Sequence, residues 1–363
     1  MHIMGPTPKP PFDAFESLQG PDVDVFDPDP VDEDDLWFLP ASDHATLDAA
    51  HDLPLPRADR RPLVDVAAWG DAQAQLVRPL TDLGICLGGL AARLAAGPTG
   101  WQHHIALQEA VDLSWLAGDR VPAERLSLWL ALRLAGDNDD AQALARAGWV
   151  VRRLMAGHLP ADDLALFLGR QSEELQTQLD DQIADWSEVM GQARGLHAIT
   201  QAALSFHIWP IVALSSAGGM ALPMIEAATV AARHGASDVK GLPFLPLALG
   251  GAGGLRGHGT TYERLERWIA GADHAARAAT RLLDRLQAWE AQALTRCASL
   301  SGRTPPQLVR LLRDWPLVSA PMAEAEIDAS RAAIQRNLNW MADQGLIRET
   351  TGQGRYRFWT AAV

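Results

Sequence analysis

The last sixty residues of the chain, Thr304–Val363, constrain its fold more than any other stretch. Apolar side chains recur there at helical spacing in three short segments, and a serine precedes the second and the third segment. The helices predicted from this pattern are Pro305–Trp315, Ala320–Ile327 and Arg331–Gln344. A tight turn at Asp328-Ala329 separates the last two. Helices of these lengths in this order are typical of a helix-turn-helix, which is a DNA-binding fold.

A β-hairpin is predicted directly after the third helix. Gly345 ends that helix, and Leu346–Thr350 has the pattern of a strand. The tip is predicted at Gly352–Gly354 and the returning strand at Arg355–Thr360. A hairpin in this place is the wing of a winged helix-turn-helix. The predicted fold class is therefore mainly α, with a helical body followed by a C-terminal winged helix-turn-helix that carries a small β-hairpin wing.

The outward face of the third predicted helix suits DNA bases. At about 100° per residue, Ile334, Leu338 and Met341 fall on one stripe that must face the core, so polar side chains point outward. Arg pairs with guanine, and Asn or Gln pairs with adenine, in the major groove where recognition helices lie. Arginines in a wing suit phosphate. The predicted DNA-binding residues are Ser330, Arg331, Gln335, Arg336 and Asn339 at the helix, and Arg355 and Arg357 in the wing.

The distribution of charge permits DNA binding although the chain has a net charge of −14. Residues 1–60 hold 14 acidic and 3 basic side chains, whereas the chain from Arg296 onward holds 9 Arg and 6 acidic residues. A duplex responds to the local potential and not to the charge of the whole chain. The excess of acid at one end therefore does not exclude DNA as a partner of the other end.

Composition divides the chain into three segments. Residues 1–60 are acidic and rich in Pro, so we expect a disordered leader. Residues 61–299 predict an all-helical domain with a Gly/Pro-rich loop at 233–261, and residues 300–363 are the predicted winged helix-turn-helix. The leader is either a solvated tail whose apolar patch at 36–39 docks on the body, or a segment that mimics DNA or binds a partner.

The sequence of the body predicts neither a metal site nor a cofactor site. His103 and His104 with Glu109 resemble a metal-binding set, but adjacent histidines on a helix diverge by about 100°. The Gly-rich loop beside Arg256 lacks the Gly-Lys-Ser/Thr sequence of a phosphate-binding loop. We therefore expect this loop to be structural.

Two further features of the sequence concern the redox state of its cysteines and a possible membrane span. Cys86 and Cys297 have no metal-binding spacing and are expected to be reduced thiols. The stretch Ile208–Ile225 has no formal charge and approaches the length of a membrane span. Pro and Gly residues interrupt it, which favours buried core helices.

The C-terminal segment resembles one family. Residues 316–322, 327–333, 345–349 and 352–357 are similar to those of an uncharacterised family of alphaproteobacterial helix-turn-helix proteins, frequent on plasmids. Its members pair a helical domain of unknown function with this C-terminal DNA-binding domain. The family usually has Gly in the turn where this chain has Asp328, which tolerates the left-handed conformation. Similar winged helices follow the catalytic domain of some Fic proteins, but this sequence lacks the Fic signature, so AMP transfer is not implied.

These features predict a non-enzymatic transcriptional regulator of the cytoplasm. It would bind double-stranded DNA through helix 331–344 and wing 352–357, form a homodimer, and need no cofactor, metal or membrane. Two alternatives stay open. One is an enzyme with a site in the 207–258 region, which a deep pocket converging on His207, His234 and His258 would favour. The other is a protein-interaction adaptor whose winged helix does not contact DNA.

Overall fold

The computed structural model of the chain describes residues 64–132, 140–170, 173–212, 214, 223–352 and 357–363, and the side chains of residues 173–178 are left aside. The described residues all belong to one compact unit, Pro62–Val363. Three sequence predictions fall wholly or partly outside the described residues. They are the acidic leader 1–60, the uncharged stretch Ile208–Ile225 and the tip of the wing with Arg355.

The body that precedes residue 300 is built from helices, which confirms the mainly α fold class. Its first described helices are α1 Val66–Gln75, α2 Val77–Ala96, α3 Gly100–Leu116, α4 Ala123–Leu132 and α5 Ala141–Leu154. They are followed by α6 Leu164–Leu168, α7 Glu173–Gln192, α8 Ala198–Ile208, α9 Pro223–Gly235 and the 37-residue α10 Thr261–Cys297. The start of α10 is fixed by a capping box, because the side chains of Thr260 and Glu263 each accept the other's backbone N–H.

The chain between Val66 and Ala96 forms two helices, α1 and α2, and not one continuous helix. They meet at Leu76, whose φ of −103° and ψ of 20° depart from helical values, although its N–H still bonds to the carbonyls of Ala72 and Gln73. Both α1 and α2 pack against α10. The break lets each of them follow that long helix with its own buried side chains.

Helix α2 is long and apolar enough to cross a membrane by length and composition alone, and it is the single such helix in the described residues. Its leucines recur every three or four residues on one stripe, and this stripe is buried in the core of the body. The stripe consists of Leu80, Leu83, Leu87, Leu90 and Leu94. The opposite face, which includes Arg78, Asp82 and Ile85, is exposed.

The Gly/Pro-rich loop is packed into the core, where a buried carboxylate holds its backbone. Glu109 of α3 is fully buried, and its two oxygens accept N–H bonds of 2.9, 2.9 and 3.1 Å from Leu247, Ala248 and Leu249. The neighbouring Asp112 accepts the N–H of Gly250 at 3.0 Å. Buried backbone groups need such partners, so these two carboxylates allow a loop without regular structure to lie inside the body.

A buried arginine and a close backbone contact hold the rest of this loop. Arg233 of α9 donates to the carbonyls of Pro243, Ala156 and His158. Further along, Gly254 packs against Gly271 of α10 so closely that a Cβ at residue 271 would lie 2.6 Å from the Cα of Gly254. The loop therefore connects α3, α9 and α10.

The C-terminal segment contains three helices and a small sheet. Helices α11 Thr304–Asp314, α12 Ala320–Glu326 and α13 Arg331–Asp343 agree with the three predicted helices to within one residue at each end. Strands β2 Ile347–Glu349 and β3 Phe358–Ala361 pair antiparallel, with Ile347 opposite Ala361. A third strand, β1 Val318–Ser319, pairs with the other side of β3 and was not predicted.

The core of this segment is separate from the core of the body, but it includes residues from the body's last helix. Trp289, Ala293 and Cys297 of α10 are buried in it. They pack with side chains from α11, α13 and the sheet, among them Leu308, Leu312, Leu338, Met341 and Trp359. The indole N–H of Trp289 also donates to the carbonyl of Leu346 at 2.7 Å. Cys86 and Cys297 are both free, as predicted.

Candidate nucleic-acid interface

Helix α13 is bounded by local hydrogen bonds that its own sequence supplies. The Ser330 hydroxyl accepts the N–H of Ala333, and Ser330 itself has the extended backbone of an N-cap. At the other end, Gly345 adopts a φ of 68°, and the N–H of Leu346 bonds to the carbonyl of Met341. These caps set the start and the end of the helix that was predicted to read DNA.

The two faces of α13 differ as its sequence predicts. Ile334, Leu338 and Met341 each have 0% of their surface exposed, so the apolar stripe is entirely within the core. On the other side, Arg336 and Asn339 are exposed. The helix therefore presents a cation and an amide to solvent from a rigid, well-packed support.

Hydrogen bonds connect the polar face of α13 to the end of the predicted wing. The amide oxygen Oδ1 of Asn339 accepts a bond of 3.0 Å from Gln335 and a bond of 3.2 Å from the Arg357 guanidinium. Arg357 also lies over the ring of Trp359, 5.2 Å from its centroid. The structure thus brings together three of the residues that were predicted separately as DNA contacts.

The remaining predicted contacts have different surroundings. Arg331 forms an ion pair with Glu324 of α12, across the turn between the two helices. A phosphate that approached Arg331 would have to compete with this carboxylate. The hydroxyl of Ser330 is engaged in capping α13, and Arg355 lies outside the described residues.

The C-terminal segment rests on the body through its first helix and its sheet. Arg313 of α11 pairs with Glu290 of α10 at 2.7 Å, and the Trp315 ring lies 5.1 Å from the ring of His103. Arg348 of β2 pairs with Glu124 of α4. Sequence reasoning missed these contacts because the partners are distant in the chain and neither side has a recognisable motif.

The three histidines named for an enzymatic alternative do not converge. His207 lines a cavity between α8, α9 and α10, and neither His234 nor His258 is among that cavity's described lining residues. His234 instead bonds to Gln201 at 2.9 Å, and the exposed His258 lies beside Arg267. In the described part of the chain, no three His, Cys, Asp or Glu residues are placed to hold a metal ion.

Comparison with known protein families gives a match for the C-terminal segment. Residues 305–361 match a protein-family model described as an HTH DNA binding domain. A search of curated proteins found no match to the chain. The matched residues run from the start of α11 to the end of β3, and they include the capped α13 with its exposed polar face. The chain therefore carries a helix-turn-helix DNA-binding domain at its C-terminus.

Proposed function

We infer that the protein is a transcriptional regulator that recognises a duplex site through α13 and the wing 352–357. The observation that carries this inference is the exposed pair Arg336 and Asn339, on the helix whose opposite stripe is completely buried, within a helix-turn-helix domain. In this class of domain the last of the three helices lies in the major groove, with such side chains at the base edges.

The contacts around Asn339 support a division of roles. Arg336 is exposed, and on a base edge Arg pairs with the O6 and N7 atoms of guanine. Asn339 already accepts bonds from Gln335 and Arg357, which orient its amide before DNA arrives. Arg357, which joins the helix to the wing, suits a phosphate beside the groove. Base reading is thus assigned to α13 and positioning on the backbone to the wing.

A dimer is the form in which we expect the protein to act. One domain of this size buries about 600–1,000 Å² on DNA, whereas most specific sites use more. The long helix α10 offers a surface for pairing in its last turns, where Gln292 and Arg296 are exposed. Half-sites would then lie about one helical turn apart, or a multiple of that distance. We place this regulator in the cytoplasm and expect it to act without a cofactor.

The test begins with duplexes selected from a random pool by the full chain. For the selected site, Arg336→Ala and Asn339→Ala should each cost about 1–3 kcal/mol of binding free energy and relax preference at one base position. Arg281→Ala, which removes an exposed arginine from the body, is the matched control and should leave the base preference unchanged.

The outcomes separate the remaining candidates. Equal affinity and equal base preference in all three variants would contradict the assignment of α13 to the groove. Selection of no duplex at all, at low salt, would favour the protein-interaction adaptor. Binding that weakens steeply with salt and shows no base preference would indicate contacts to phosphate alone.

A further inference from the structure

A cleft of about 470 Å³ lies in the body between α8, α9 and the first turns of α10. Its described walls are mostly apolar, with Phe206 and Trp209 on one side and Met224 and Leu255 on others. Volumes of roughly 300–1,000 Å³ with apolar walls and a few polar groups are typical of small-molecule sites. The polar side chains in the described lining are His207 and Arg264.

Each of these two side chains has a buried nitrogen without a hydrogen-bond partner among the described residues. The buried Nε2 atom of His207 has no hydrogen bond, and 7% of the residue is exposed. The buried Nε atom of Arg264 has none either, and its guanidinium makes no ion pair with a described residue. The guanidinium of Arg170, in comparison, pairs with Glu226, and that of Arg233 reaches three carbonyls although its own Nε atom is also unbonded. Buried polar groups are normally hydrogen-bonded, so two unpaired ones in a single cleft indicate a missing partner.

The charge of the cleft selects the chemistry of that partner. Burial, and then the nearby Arg264 and Arg267, lower the pKa of His207 to about 4, so this imidazole is neutral at neutral pH. The described lining contains no carboxylate. One cation, one neutral hydrogen-bonding ring and apolar walls together fit a small apolar molecule that carries a single negative group.

We propose that this cleft binds a small apolar carboxylate, with its anionic group on Arg264, a hydrogen bond to His207, and its apolar part against Phe206, Trp209 and Met224. A carboxylate matches the guanidinium geometry with two parallel hydrogen bonds. Because no described carboxylate pairs with Arg264, the ligand has no ion pair to displace in the part of the chain that the structure describes. Binding would satisfy both unpaired groups at once.

Resting on the proposed function, the site would also regulate DNA binding, because one helix joins it to the DNA-binding domain. Arg264 lies in the first turn of α10, and Trp289, Ala293 and Cys297 of the same helix belong to the domain's core. The rise of an α-helix places Arg264 about 37 Å from Trp289. A ligand that fixes the first turns of α10 acts on an element that the domain needs for its own packing.

The binding test uses titration calorimetry on the full chain with decanoate and naphthoate, and with decanol and decylamine as neutral and cationic counterparts of decanoate. Decanoate should bind better than both counterparts. Arg264→Gln should weaken it by roughly ten- to a hundred-fold, the range for a hydrogen bond to a charged group. Arg281→Gln, an exposed arginine on the same helix, should leave it unchanged. The melting temperature of Arg264→Gln should not fall, since the Arg264 guanidinium has no ion pair with a residue that the structure describes.

Two results would overturn the site. One is no binding of either carboxylate, and the other is equal affinity of decanoate for wild type, Arg264→Gln and Arg281→Gln. The second half of the test repeats duplex binding with and without saturating decanoate. A changed duplex affinity in wild type that is absent in Arg264→Gln supports regulation, and by reciprocity the duplex must change decanoate affinity by the same factor. Decanoate binding without any effect on duplex affinity would overturn regulation. If the protein bound decanoate but no duplex, the ligand site would be supported and the proposed function in DNA binding would be wrong.

Discussion

The helical body and the DNA-binding domain are held together by different kinds of polar contact. In the body, buried ionisable side chains reach across long stretches of sequence, as Glu109 does to the amides of residues 247–249. In the DNA-binding domain, the hydroxyls of Ser319 and Ser330 each accept an N–H from three residues ahead. Among the described residues, the buried ionisable side chains all lie in the body, whereas short-range caps occur in both regions.

This difference has an energetic consequence. A buried charge that loses its partner stays in a medium where it is poorly solvated, which costs several kcal/mol. A helix cap that is lost leaves an N–H near water, which costs about 1 kcal/mol. Single substitutions of polar residues should therefore lower the free energy of unfolding more in the body than in the domain. The following predictions are ordered by the size of the expected loss.

The largest effect is expected when the buried ion pair of the body is broken. Arg170 and Glu226 are 2.6 Å apart and their side chains are 7% and 2% exposed. Arg170→Met leaves Glu226 buried without this partner, so the free energy of unfolding should fall by about 3–5 kcal/mol. Urea unfolding measures it. The double variant Arg170→Met with Glu226→Leu should recover much of the lost stability. Arg281→Met, at an exposed arginine, is the control. If Arg170→Met were as stable as Arg281→Met, the expected difference between the body and the domain would be wrong.

A smaller, pH-dependent effect is expected at Glu109. Glu109→Gln keeps one acceptor oxygen but turns an N–H₂ group toward a backbone donor, which should cost about 1–3 kcal/mol at mildly acidic pH. Burial, reinforced by the charge of Asp112, raises the pKa of Glu109 from 4.5 to about 7, although three backbone N–H bonds lower it.

The sign of the pH effect follows from this raised pKa. The folded state binds more protons than the unfolded state between pH 4.5 and about 7. The stability that Glu109 contributes is therefore fully present below 4.5 and is lost as the pH rises through 7. The difference in the free energy of unfolding between wild type and Glu109→Gln should therefore decrease from pH 4.5 to pH 7, as measured by urea unfolding. If this difference in the free energy of unfolding increased toward neutral pH, the ionised carboxylate of Glu109, and not the protonated one, would hold the loop.

In the DNA-binding domain, removal of the cap of α13 should have a modest effect. Ser330→Ala leaves the N–H of Ala333 without its acceptor and should lower the free energy of unfolding by about 0.5–2 kcal/mol. Ser330→Gly is the control and should cost only a few tenths, since Gly is tolerated at this position. A loss in the Ala variant as large as that of Arg170→Met would contradict the ranking.

The smallest effect is expected where the two regions touch at the surface. Arg348 and Glu124 form an ion pair with side chains that are 61% and 37% exposed. Such pairs contribute about 0–1 kcal/mol and are screened by salt, so Glu124→Gln should hardly change thermal unfolding at moderate ionic strength. A drop of several degrees that persists in high salt would mean that this contact holds the domain on the body.

The same contrast explains what could be predicted from the sequence. Helices α11, α12 and α13 follow from apolar spacing and from caps that lie within a few residues, so their bounds were predicted closely. Strand β1 has only two residues, which is too short for an alternation of apolar and polar side chains to be recognised. The contact of Glu109 with residues 247–249, and the contact of Asn339 with Arg357, arise only when the chain folds. The cleft beside His207 was missed for the same reason, because Arg264 is far from it in sequence.

Helix α10 supplies Trp289, Ala293 and Cys297 to the core of the DNA-binding domain. The structural unit of this domain therefore begins within α10 and not at α11. A fragment cut at residue 300 would expose the cavity that these three side chains fill, including the place of the Trp289 indole and its bond to Leu346. Recombination that transfers the domain to another protein would have to carry the last turns of α10 with it. The smallest autonomous fragment should therefore start before Trp289, inside a helix and not in a linker.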